Sequence, residues 1–405
     1  MVKQMALLPF LAALLLMAVG AQTGEADQPK RGAVVDRPLT AAQGELLELA
    51  FGAASAIPPE ADLPDRCKAQ EAVLAACLKL HQPGRVLKDI EQIQDWRKGA
   101  VHADLAMYFA RHGPAGRVQD HLDEAAKVAV TADDWRRDRI HVKIAQVHAL
   151  LGQTEKAAQF EAGVEQSEQG KVIRLSVQHG DGGDFDAQIG ELDQAASKES
   201  FDVRRNVLRT AVTLHDAVYP NADRRQILEK RIRSWMEGMP PFIQIEQLMA
   251  MARSAREHGD QACARELIGE AQAIRRQSRW MAEDEIPIMV RLAADEFRVG
   301  DRDRAQADVA AALAMFDAER ERILSSKRTE SLLLIAEAYH AMGNGDQAMA
   351  VYRRAVAEGA SNPNGRPRAL DLSALCRSLA LNAVEPDAEL WRGIREALNG
   401  LGPPW

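Results

Sequence analysis

Five times along this chain an alanine is followed seven residues later by a glycine, and five beyond that by a second small residue. The sets are Ala145/Gly152/Ala157, Ala252/Gly259/Ala264, Ala293/Gly300/Ala305 and Ala336/Gly343/Ala348, with Ala106/Gly113/Val118 carrying one substitution. Small residues returning at that pace are what stacked helical hairpins require, one hairpin per repeat. The first alanine falls where the two helices of a hairpin come closest, and a larger side chain there would push them apart. The glycine just past the first helix can take the left-handed backbone conformation that closes a helix C-terminus. The second alanine is the contact the returning helix makes. In Gly259-Asp260 and Gly300-Asp301 the acid after the glycine can cap the next helix. Leu332, Ile335, Ala336 and Tyr339 form an apolar stripe at three- and four-residue spacing that would pack on the neighbouring repeat. Strand signals are nearly absent, because no stretch alternates apolar and polar residues for long. The expected fold is all-α.

The clearest duplication sets Asp95-Trp96-Arg97 to Gly113 against Asp134-Trp135-Arg136 to Gly152 at a constant offset of 39 residues. His102 aligns with His141, and Ala106 with Ala145. Carried along the chain, the frame places turn anchors at Gly113, Gly152, Gly182, Tyr219, Gly259, Gly300 and Gly343. Gly182 and Tyr219 follow from spacing alone. They put Ala187 and Arg224 in the second-alanine slot, where an arginine breaks the small-residue rule. Residues 170–235 therefore read as a degenerate hairpin pair. Pro240-Pro241 ends one helix and starts the next.

The run Leu332-x-x-Ile335-Ala336-x-x-Tyr339-x-x-x-Gly343-x4-Ala348-x3-Tyr352-x-x-Ala355 resembles a tetratricopeptide repeat slot for slot, and the hairpins over residues 91–360 resemble it more loosely. The resemblance implies a right-handed α-solenoid whose concave groove, lined by first helices, holds a peptide or a partner protein. Met107, Arg111, Lys143, Gln146, Arg253, Arg256, Arg298, Glu337 and His340 would line that groove, with Glu246 and Met249 beside them. A solvated helix face predicts the same residues. Such a groove is mixed in charge with basic spots and suits an acidic or carboxylate-ended peptide. The pattern departs from the family in two ways: most spacings exceed 34 residues, and the proline that closes the second helix is missing from most repeats. Longer helices would alter the superhelical pitch.

The chain begins with an address. Lys3 precedes an apolar run from Met5 to Val19, and Val19-Gly20-Ala21 puts small residues before Gln22. That run is shorter than the ~20 residues a bilayer-spanning helix needs, so residues 1–21 read as a cleaved secretory signal and the product as exported, periplasmic or extracellular. Residues 22–39 are polar, with Pro29 and Pro38, and read as a disordered lead-in. Residues 40–90 hold two helices broken at Ile57-Pro58-Pro59, and residues 361–400 hold a capping pair, Arg368 to Asn382 and Asp387 to Leu398. For the tail, 401–405, the sequence leaves a frayed end and one tucked under Trp405 equally open.

Without the signal the charge is about −9, from 50 basic and 59 acidic residues, which argues against general nucleic-acid binding. Cys67 and Cys77 lie ten residues apart in one expected helix, Asp65 to Leu80. A helix separates them by ~15 Å, beyond the ~7 Å a disulfide spans. Cys263 and Cys376 fall in distant repeats, so buried free thiols are expected. No His-x3-His or Cys-x-x-Cys pair suggests a metal site, and no cofactor is expected. The acids Asp181, Asp184 and Asp186 lack calcium-loop spacing and suit a glycine-rich turn. No serine elbow, phosphate loop or Cys/His pair marks an enzyme. The favoured reading is a non-enzymatic scaffold that docks a peptide or protein. The alternative is an all-α barrel enzyme acting on envelope or extracellular polymers through a pair of convergent acids.

Overall fold

The computed structural model describes residues 34–164, 185–197 and 200–405; these hold eighteen α-helices and no strand. The expected signal, Gly182, Asp181 and Asp184 lie outside the described residues. The chain opens with α1 Ala41–Ala56, α2 Pro59–Lys79 and the short α3 Pro83–Asp89. Two hairpins follow, α4 Arg97–His112 with α5 Val118–Thr131, and α6 Asp134–Leu150 with α7 Thr154–Glu161. After α8 Phe185–Ala196 come α9 Phe201–Ala217 with α10 Ala222–Met236, and α11 Pro241–Glu257 with α12 Gln261–Gln277. Next are α13 Ala282–Arg298 with α14 Arg302–Glu319, and α15 Ser325–Ala341 with α16 Gly345–Ala360. The chain closes with α17 Gly365–Leu381 and α18 Ala388–Asn399.

The small-residue frame lies inside. Ala106, Ala145, Ala293, Ala336, Ala264 and Ala305 have no solvent exposure, and Ala252, Ala348, Ala157 and Val118 are buried. Gly152, Gly259, Gly300 and Gly343 take φ of 71°, 83°, 94° and 82°, the left-handed region in which other residues are strained. Gly113 serves a different purpose. Its backbone is extended, and the Phe109 ring lies 2.6 Å from where a Cβ would stand. Asp260 caps α12 through the Cys263 N–H at 3.0 Å. Asp301 makes no side-chain cap and instead faces Arg265 at 3.5 Å.

The frame fails where spacing alone had placed it. Ala187 and Arg224 are both exposed. In α8 the buried residues are Phe185, Ile189 and Leu192, and in α10 they are Leu228, Ile232, Trp235 and Met236. Arg224 reaches over the Phe185 ring at 5.1 Å, a surface contact in place of a helix crossing.

The hairpins form two layers. Successive first helices pack side by side, α2 on α4, α4 on α6, α9 on α11, α11 on α13, α13 on α15 and α15 on α17. Second helices pack mainly on their own first helix and on the next one. Between second helices the wider gap is spanned by long ion pairs, such as Arg233 to Glu270 at 2.6 Å and Arg320 to Glu358 at 2.5 Å. Along the stack the first helices are thus the more closely packed layer.

The two ends of the stack meet. α17 takes α1, from the other end of the chain, as its hairpin partner, and also packs on α2. One apolar core runs from Leu46, Leu47, Val73 and Leu74 across this seam to Leu372, Leu375 and Leu379. Gln43 Nε2 donates to the Ala380 carbonyl at 3.0 Å, Arg395 pairs with Glu45, and Arg366 with Asp62 and Asp65. The α17 stripe is therefore covered by α1 as well as by α18, so the C-terminal helices do not form a self-sufficient cap.

Both chain ends are tied down near the seam. Residues 34–39, assigned to the disordered lead-in, carry no regular secondary structure but are pinned. Arg37 N–H donates to the His81 carbonyl at 3.0 Å, and Asp36 accepts the Gly84 N–H at 2.6 Å. A side chain on Gly84 would collide with Asp36. The tail is tucked: Gly365 N–H donates to the Pro404 carbonyl at 2.5 Å, and Arg368 to the Gly402 carbonyl at 3.0 Å. All four cysteines are free.

Candidate functional site

Along the first-helix layer, polar side chains form rungs between several neighbouring helices. Lys143 pairs with Asp104, Arg209 with Glu246 at 2.7 Å, Arg253 with Asp295 at 3.2 Å, Glu337 with Ser378 at 2.5 Å and His340 with the Asn382 carbonyl at 3.0 Å. Each rung joins residues about one repeat apart, which is why stacked first helices bring them together. Most of the predicted groove residues therefore lie on stacked first helices and already have partners. Arg298 shares Asp295 with Arg253, at 2.7 Å, and Arg256 pairs with Glu257. Arg111 stays exposed, and Gln146 and Met107 are half-buried, with Met107 packed against the core. Met249 was expected on the open side and is instead 6% exposed, because it points into the core of α8–α13.

The predicted residues do not converge on one pocket. Only Glu337 among them lines the cleft at the seam, a cavity of about 650 Å³ between α2, α15 and α17. Its apolar wall is Ala69, Ala72, Ala75 and Ala76 of α2, with Leu333 and Leu334 of α15 and Leu370 and Leu381 of α17. The alanines of α2 leave room that larger side chains would fill. Charged groups ring this wall: Asp65, Lys68 and Lys79 on α2, Glu330 and Glu337 on α15, and Asp371 and Arg377 on α17.

The acids of the cleft are mostly engaged. Asp65 faces Arg366 at 3.6 Å, and Glu330 accepts from Lys327 Nζ at 2.9 Å. The Tyr352 hydroxyl lies 3.1 Å from Ser378 Oγ. Since Ser378 donates its proton to Glu337, Tyr352 must be the donor to Ser378. Asp371 accepts the Thr329 hydroxyl at 3.0 Å, and burial pushes its carboxyl up to about 7, with Glu330 adding repulsion. The bases differ. Arg377, Lys68 and Lys79 have no ion pair or hydrogen bond among the described residues. Burial pulls Arg377 below the ordinary guanidinium range, while the field of Glu337 acts in the opposite sense.

Sequence reasoning overlooked Arg377, Lys68, Lys79 and Asp371. The available signal was local: Asp371 and Arg377 are the only charges in the otherwise apolar and small stretch from Ala369 to Ala383. A charge retained in such a run has to be explained by a partner or a site.

Two other polar groups are structural. Glu296, 1% exposed between α12, α13 and α14, accepts from Gln272 and Arg304, each at 3.0 Å, and burial pushes it up to about 7. His102 Nδ1 lies 3.1 Å from His121 Nδ1, with Phe109 stacked on His121; burial brings His102 down to about 4. Trp96 and Trp135, the duplicated tryptophans, meet edge to face at 5.4 Å.

No protein-family model matches the chain, and no curated protein matches it. Among the described residues no cluster of three or more His, Cys, Asp or Glu is placed to hold a metal ion, and no helix is long and apolar enough to cross a membrane.

Proposed function

We propose that this protein is a docking scaffold, exported from the cell, whose hairpins are of the tetratricopeptide kind wound in a right-handed sense, and that it holds a peptide or a segment of a partner protein on its concave side. The observation that carries the reading is the seam cleft: a half-apolar hollow on the first-helix face, lined by three helices of which one comes from the opposite end of the chain. Its size suits a few peptide residues. The polar ladder keeps neighbouring first helices in register, so the face is preorganised for a ligand.

The test is site-specific photocrosslinking in the native cell, with the crosslinker placed at Ala72 inside the cleft or at Lys230 on a second helix. Capture of one partner from Ala72, lost when Leu334→Arg fills the hollow and never seen from Lys230, supports docking. Equal capture from both positions rejects it.

A second reading rests on one observation. Asp371 sits near neutrality beside the ionisable Glu330, the kind of pair an acid–base hydrolase uses. Against a polysaccharide substrate, no aromatic side chain lines the cleft to stack on a sugar. Hydrolysis of an envelope polymer that disappears in Asp371→Asn would replace the docking reading.

A further inference from the structure

We propose that the edge of the stack where α9, α11, α13 and α15 begin is a docking surface distinct from the seam cleft, and that it takes an amphipathic helix of a partner protein, apolar on one side and basic on the other. The polar rungs join residues at similar depth in neighbouring first helices, such as Arg209 to Glu246 and Arg253 to Asp295, so these helices run parallel and their starts share one edge. Phe201 opens α9, Phe242 is the second residue of α11, and Met281 and Leu324 immediately precede α13 and α15. They recur at intervals of 41, 39 and 43 residues, one per repeat. Their exposures are 42%, 43%, 63% and 60%. A large side chain that served only its own helix start would fold back onto the first turn. Apolar side chains left in water singly are ordinary, but a row of them marks an interaction surface. Trp135, the second residue of α6 and 46% exposed, repeats the position on the other side of the seam.

Beside Met281 the edge opens into a hollow of about 660 Å³ whose apolar lining includes Trp280, Met281, Met315 and Ile323. It has room for large apolar side chains from a partner, the usual anchors of an interface. The spacing and the charge of the edge select the occupant. Packed helix axes stand ~8–10 Å apart, and seven residues of an α-helix rise ~10.5 Å. Apolar residues at that interval meet one helix start after another, whereas one face of a strand repeats every ~6.6 Å and falls out of step. Asp202, Glu237, Glu283 and Asp284 border the row and form no ion pair among the described residues; Glu283 accepts only the Leu324 N–H. Of the nearby cations, Arg320, Arg322, Lys327 and Arg328 each face an acid. That leaves Arg279 and Arg204, the latter donating to the Trp235 and Glu237 carbonyls. The surplus on this edge is negative, which favours Lys and Arg on the partner and repels an anionic membrane surface.

The probe is a peptide of Leu and Lys with its leucines on one helical face, about eighteen residues or ~27 Å long as a helix, titrated calorimetrically into the full chain. A matched Leu and Glu peptide and vesicles of phosphatidylglycerol with phosphatidylcholine are tested beside it. The Leu and Lys peptide should bind, with affinity falling about fivefold in Phe242→Ser and in Met281→Ser, and further in the double variant. Asp284→Asn and added salt should each weaken it severalfold. Leu151→Ser and Ile227→Ser remove apolar side chains of like exposure away from this edge and should leave binding unchanged. Since all these side chains are exposed, every variant should melt with the wild type, which separates lost binding from lost folding. Equal loss in the Leu151 and Ile227 variants, or no binding at all, would overturn the docking edge. Equal affinity for the Leu and Glu peptide would overturn the basic partner. Sedimentation with vesicles that is lost in Met281→Ser would replace the partner helix by a membrane surface. None of these results bears on capture from Ala72, so the seam cleft stands or falls separately.

Discussion

At Asp371 a carboxyl group is held at about 7, above its ordinary 3.8, because the α15–α17 contact buries it with one hydroxyl for company. The folded chain therefore keeps a proton that the unfolded chain releases between about pH 4 and 7. The group's contribution is intact at the acid end and is lost as pH rises through 7. Asp371→Asn should remove that loss. We expect a gain of about 1–2 kcal/mol at pH 8, allowing for the part of the side chain still wetted, and none at pH 4; denaturant melts at the two pH values check this. His102 acts in the opposite direction. Its ring sits at about 4 against an ordinary 6.5, so its contribution is intact above 6.5 and is lost as pH falls toward 4. Replacing both His102 and His121 by Leu should make the stability of the α4–α5 hairpin flat across that window, read by amide exchange at pH 5 and 7. Neither shift was legible in the chain, since burial of a polar group depends on its neighbours in space. The one local hint, Asp371 and Arg377 standing alone in the apolar run of α17, was overlooked.

At the scale of the helix pair, the sequence was readable where packing is repetitive. Ala336 has no exposure, and Gly343 just beyond it sits at φ 82°. Ala336→Trp should cost 1–3 kcal/mol or more through overpacking, and Gly343→Ala about 1 kcal/mol through backbone strain. Exposed Arg291 on the same layer should tolerate alanine within about 0.5 kcal/mol. Urea titration of the three variants ranks them. The frame misled at Ala187 and Arg224 because spacing carries no information on whether two helices press together. Where the contact loosens, the small residue is no longer demanded and longer side chains take the slot. The polar ladder was half visible: its residues were identified as facing the groove, but their partners lie one repeat away and cannot be read from either helix alone.

At the scale of the molecule, the seam left no trace in the sequence. Gln43 meets Ala380 across 337 positions, and periodicity reports only on neighbours. α1 shows an ordinary buried stripe of Leu46, Leu47, Ala50 and Ala53 that any adjacent helix could have covered. Leu46→Ala should cost about 2–5 kcal/mol. Hydrogen exchange should show the loss in α17, at the far end of the chain, before it reaches α9 and α10; uniform loss, or loss confined to α2, would contradict the shared core. Synthesis adds a further consequence. The helix that completes the final hairpin is made before every other described helix, and it waits through their synthesis with its greasy side unclaimed. Closure of the seam thus waits until α17 has been made, and α1 is exposed to aggregation until then.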